Sequence, residues 1–89
     1  MNNRHLIVIH VTTRTDGPTT THTATDHESG QVLNQAFTLG QVRVPRQAVA
    51  TRLAAHLAQG HLKWDQVELL GEAPDNYRGG TRFIYGQRL

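Results

Sequence analysis

The sequence predicts a single α+β domain over residues 1–89, with elements in the order β-β-β-α-β-β: an antiparallel meander, then one helix packed on one face of the sheet. Three observations predict it. The run His5-Leu6-Ile7-Val8-Ile9-His10-Val11-Thr12 is apolar and β-branched, as strands are. The turn signals Arg14-Thr15-Asp16-Gly17-Pro18 and Asp26-His27-Glu28-Ser29-Gly30 are short, which joins their flanking strands antiparallel. The stretch from Pro45 to Gly60 carries a helical period, and strand-like segments stand on both sides of it.

In the first strand Ile7, Ile9 and Val11 point one way, and Leu6, Val8 and His10 the other. Apolar side chains on both faces predict a central strand. Residues 19–26 hold Thr19, Thr20, Thr21, Thr23 and Thr25, a β-branched density that reads as a strand at a solvated position. Residues 31–39 form the third strand, with Leu33, Phe37 and Leu39 sharing a face with Gln35, and Gly40 ends it. In the helix, Val49, Leu53 and Leu57 recur every four residues with Ala50 and Ala54 beside them, which makes one apolar stripe. Pro45 suits the first helical position, and Gly60 suits a left-handed stop. Residues 61–64 connect to a fourth strand, 65–70, with Val67 and Leu69 inward. Residues 71–80 read as a ten-residue loop before a last strand, 81–88.

One helix covers one face of such a sheet. Leu6, Val8 and either Ile84 or the Phe83/Tyr85 pair therefore fall on the other face, a patch that marks an interface unless Trp64 and the long loop fold over it. At 89 residues the core is small, so a second copy of the chain is an expected partner.

Composition narrows the function. The net charge is +2, from nine basic and seven acidic residues, which gives no strong field for nucleic acid or a membrane. The absence of cysteine removes disulfides, thiolate chemistry and cysteine-ligated zinc, and fits a cytoplasmic protein. The apolar run at the start is too short for a signal peptide or membrane span. The six histidines (His5, His10, His22, His27, His56, His61) are not spaced as metal ligands, although a cross-strand pair of His10 and His22, with Asp26 or Glu28 nearby, is one arrangement the strands allow. No cofactor is expected. Ser29 has no triad around it, no phosphate-binding loop is present, and Asp16 and Asp26 read as turn formers.

Three resemblances add to this reading. The order of the first five elements resembles the opening half of a ribonuclease-H-like fold, and the partial version of it in some antitoxins. A nuclease of that fold keeps an acidic residue on its first strand where Val11, Thr12 and Thr13 stand here, so no activity is implied. His10-Val11-Thr12 and His27-Glu28-Ser29 resemble the paired His-x-Ser/Thr motifs with which some phosphodiesterases place two imidazoles on a phosphate. Those motifs stand on separate strands, whereas here 17 residues separate the histidines and one copy lies in a turn. Finally, Arg78-Gly79-Gly80-Thr81-Arg82-Phe83-Ile84-Tyr85 is similar to an RNA-recognition strand, in which a basic residue and glycine precede alternating aromatics. Thr81 and Arg82 depart from that pattern, and the fold would need a second helix.

The profile is that of a non-enzymatic protein-interaction module, an accessory or phage-encoded inhibitor of the anti-CRISPR kind that occupies a surface of a larger complex. Its expected contact residues are Asp75, Asn76, Tyr77, Arg78 and Arg82, because Tyr and Arg most often dominate interfaces. The alternative is a nucleic-acid binder using Arg78, Arg82, Phe83, Tyr85 and Arg88, since the fourteen residues after Asp75 carry +3.

Overall fold

The computed structural model describes residues 5–38, 40–76 and 78–88. Leu39 and Tyr77, both expected to matter, lie outside the described residues. Five strands form one antiparallel sheet: β1 (Ile7–Asp16), β2 (Thr19–Asp26), β3 (Val32–Thr38), β4 (Val67–Pro74) and β5 (Thr81–Gln87), in the spatial order β3-β2-β1-β5-β4. The helix α1 (Arg46–Leu57) packs on one face, mainly over β2 and β1.

β1 is central, as its two apolar faces require. It runs to Asp16, four residues past the expected end, because Gly17 (φ 59°) and Pro18 close a two-residue hairpin that keeps Asp16 opposite Thr19. The core lies between sheet and helix. Ile7, Ile9 and Val11 of β1, Ala24 of β2, and Phe83 and Tyr85 of β5 meet Val49, Ala50, Leu53, Ala54 and Leu57. The register decides the question left open by the pattern of β5. Phe83 stands opposite Ile9 and Tyr85 opposite Ile7, so both face the helix, and Ile84 pairs with Val8 on the other face.

Three expected boundaries shift. Pro45 is the residue before the helix (φ −72°, ψ 151°), not its first turn. Gly60 does not stop the helix. The chain widens into a π-turn, Ala58–Leu62, and Lys63 takes the left-handed conformation (φ 57°) that glycine was expected to supply. This swings Trp64 under the helix end, where it joins the core, 9% exposed, with its ring edge-on to His5. Trp64 therefore closes the helix side and does not cover the opposite face. Last, β4 continues through Gly71 to Pro74, so the ten-residue loop shrinks to residues 75–80. A β-bulge between Leu69 and Gly71 adds one residue there and moves Gly71 and Ala73 to the side of Ile84 and Arg82, with Glu72 toward the helix side.

The Tyr85 hydroxyl lies 2.8 Å from the Thr51 hydroxyl. Burial pushes its pKa up from the ordinary 10.0; the bond to Thr51 pulls it down and the nearby Glu72 carboxylate pushes it up. The folded state thus holds this proton more tightly than the unfolded state. The effect on stability is nil below the ordinary tyrosine value and grows as pH rises above about 10, where only the unfolded chain ionises. In denaturant titrations at about pH 9 and about pH 11, Tyr85→Phe is expected to shed part of the alkaline loss seen in the parent.

Candidate functional site

Two polar clusters stand out, one on each face. On the helix side, His22 is buried, 6% exposed, where β2 passes the start of α1. Its Nε2 donates to the carbonyl of Val44 at 2.7 Å, which leaves Nδ1 to accept from the Thr13 hydroxyl at 2.8 Å. Thr13 Oγ1 in turn accepts from Arg46 Nε at 2.7 Å, and Arg46 Nη1 donates to Thr81 Oγ1 at 2.9 Å. The chain of bonds clamps the helix start to three strands. It borders a cleft of about 580 Å³ that Thr15, Thr20, Phe37 and Arg43 also line. Because His22 and Arg46 are spent on each other's neighbours, this cluster reads as a structural clamp. His22→Ala is expected to lower unfolding stability by about 2–3 kcal/mol, since it strands Thr13 and the Val44 carbonyl; His27→Ala, at an exposed turn, should stay within about 0.5 kcal/mol in the same urea titration.

The second cluster lies on the opposite face, over which no helix passes among the described residues. His10 projects there from the middle of β1, between Thr25 of β2 and Arg82 of β5. Its Nδ1 lies 2.7 Å from Asp75 Oδ2, with the two side chains 12% and 8% exposed. The contact sets Asp75, the first residue after β4, against β1 as an ion-pair approach without hydrogen-bond geometry. Inside that loop, Asp75 Oδ1 accepts from the Arg78 amide, the Gly79 amide donates to the Asp75 carbonyl, and the Asp75 amide donates to the Gly80 carbonyl. Gly80 (φ 79°) lies so close to β1 that a Cβ there would run into the Val11 carbonyl.

The expected contact residues thus separate by role. Asp75 is a tie holding the loop, while Asn76 and Arg78 are exposed on the loop and Arg82 is exposed on the adjoining strand. Tyr77 lies outside the described residues. Around Arg82, Val8 and Ile84 are half-buried, and Leu6, just ahead of β1, is 42% exposed. The tie between His10 and Asp75 had no signal in the sequence, where the two stand 65 positions apart.

The remaining candidate residues fare unequally in this geometry. Phe83 and Tyr85 are each 1% exposed beneath the helix and present no ring to a base, so the nucleic-acid reading keeps only Arg78, Arg82 and Arg88. His10 does not pair with His22; the alternation of β1 and β2 puts them on opposite faces. His10 instead approaches His27, with ring centroids 5.8 Å apart. The two imidazoles of the His-x-Ser/Thr motifs thus come together, but their hydroxyls do not join them. Thr12 follows His10 on the open face, whereas the Ser29 hydroxyl donates to Asp26 Oδ2, whose side chain is on the helix face. Asp26 serves as the turn former expected of it, also accepting the Ser29 amide. Among the described residues no three histidine or acidic side chains are placed to hold a metal ion, and no helix is long and apolar enough to cross a membrane.

Comparison with protein-family models, curated proteins and solved structures finds no match to the chain. The functional reading therefore rests on the geometry alone.

Proposed function

We propose that this chain is a non-enzymatic protein-interaction module, an accessory or inhibitory domain that occupies a surface of a larger complex through the open face of its sheet. The observation that carries the reading is the contact between His10 and Asp75. It ties Asp75, which also accepts from the Arg78 amide, to His10 on the strand next to Arg82, so the segment bearing Asn76 and Arg78 is anchored at Asp75 before a partner arrives and less ordering cost remains. Val8, Ile84 and Leu6 supply apolar area next to the arginine. This combination, a small apolar centre rimmed by arginine on a rigid strand, matches what concentrates binding energy at protein interfaces.

The test is affinity capture of the tagged chain from a cell lysate with and without nuclease. A discrete protein recovered in equal amount after nuclease supports the module. Loss of all partners on nuclease treatment transfers the arginines to nucleic acid, and binding would then weaken steeply with salt.

A further inference from the structure

The two edges of the sheet are built differently. β4 is guarded: it carries Glu68, Glu72 and Pro74 and a bulge at Leu69/Gly71, devices that keep other strands away. β3 at the other edge has none of them. Its sequence, Val32-Leu33-Asn34-Gln35-Ala36-Phe37-Thr38, is uncharged, lacks proline, and pairs with β2 in unbroken register.

Which backbone groups of β3 face outward follows from two hydrogen bonds. The Asp26 amide donates to the Gln31 carbonyl, so residue 31 points toward β2. The Thr38 amide donates to the Gln41 side chain, so residue 38 points away and is already capped. Strand alternation then directs the N–H and C=O groups of Val32, Asn34 and Ala36 away from β2. Beside this edge runs a groove of about 300 Å³ between β3 and α1, lined by Val32, Leu33, Arg52 and His56 among others. Arg52 Nη1 reaches Gln35 Oε1 at 2.7 Å. Further along the same edge Phe37 and Arg43 border a second hollow of about 270 Å³. The charged side chains that line the two hollows are Arg43 and Arg52, and no acidic residue lines either of them.

We propose that β3 is a docking edge for an extended, acidic peptide segment of a partner protein, which adds as a sixth strand. The segment pairs with the outward groups of Val32, Asn34 and Ala36, sets apolar side chains against Leu33 and Phe37, and turns a carboxylate toward Arg52. A second copy of the chain is a poorer occupant. Two β3 strands paired antiparallel about Gln35 would bring two Arg52 guanidinium groups together, with no acidic residue lining the grooves beside them. The edge is a separate surface from the open face, and neither needs the other.

The probe is a synthetic peptide, Thr-Leu-Thr-Glu-Thr-Leu-Thr, titrated into the full chain while amide NMR shifts are followed; the comparison peptide carries Lys for Glu. The expected result is movement of the Val32, Asn34 and Ala36 amides, with the lysine peptide about tenfold weaker, the effect of losing one charge-assisted contact. Arg52→Glu should reverse the preference between the two peptides. Ala36→Pro removes only an outward N–H, which an edge strand tolerates, and should abolish binding in a folded chain. Still edge amides, or equal response to both peptides, would overturn the proposal. So would self-association that Ala36→Pro abolishes in the absence of peptide binding, which would give the edge to a second copy.

Discussion

Gly80→Ala is expected to destabilise the domain by about 3 kcal/mol or more. Two causes act together. Gly80 holds φ at 79°, where an L side chain is strained, and its Cβ would strike the Val11 carbonyl in the middle of the central strand. The obstacle is backbone in the best-packed part of the sheet, where Val11 is fully buried, so it cannot turn aside. Gly79→Ala is the control. Its φ is 73°, but its Cβ would meet open space, and only the conformational cost of about 1 kcal/mol should appear. Urea denaturation of the two variants, at matched m-values, separates the collision from the strain. The variant should also disturb function. Gly80 accepts the Asp75 amide, so displacing it works against the contact that holds the loop over His10.

The second large effect concerns binding. Arg82→Glu should weaken the partner complex by about 2 kcal/mol or more, roughly a thirtyfold loss, because it replaces an arginine at the centre of the open face with the opposite charge. Arg82 is exposed and its cross-strand neighbours on that face are His10 and Ala73, so the fold should be indifferent to the change. Asn76→Ala and Arg78→Ala, on the loop, should each cost less, since a rim contact is partly solvated. The measurement is calorimetric titration against the captured partner, with thermal melts to show that each variant is folded. A binding constant unchanged in all three variants would remove the open face from consideration.

Much of the fold was legible in the chain because its signals are local. The alternation of Ile7, Ile9 and Val11, the short turns at Gly17 and Ser29, and the four-residue spacing of Val49, Leu53 and Leu57 each specify an element without reference to any other. What stayed hidden depends on register. Whether Ile84 or Phe83 and Tyr85 lie under the helix turns on which β5 residue faces Ile9, and the pattern of β5 is apolar either way. The bulge at Leu69/Gly71 flips the face of β4 and extends it through a glycine that reads as a break, which is why residues 71–74 resembled a loop. The histidines show the same limit. His22 and His10 are both strand residues flanked by β-branched neighbours. Only the pairing of β1 with β2 makes the first a buried clamp and the second the anchor of a surface loop.

The exposure of the candidate contact residues was legible for a related reason. Asn76, Arg78 and Arg82 stand out as an exposed, arginine-bearing hairpin because loop and strand residues of that type seldom serve a core. That Asp75 belongs to the scaffold follows from a partner far away in sequence, and no local pattern announces it. The alternation that made Phe83 and Tyr85 look like a stacking platform is the same alternation that places them in the core.

The most direct test of the central claim is arginine footprinting with phenylglyoxal, read by mass spectrometry on the free chain and on the complex with its captured partner. Binding through the open face predicts that Arg82 and Arg78 lose reactivity in the complex. Unchanged labelling of Arg82 and Arg78 in a complex shown to be intact would contradict it.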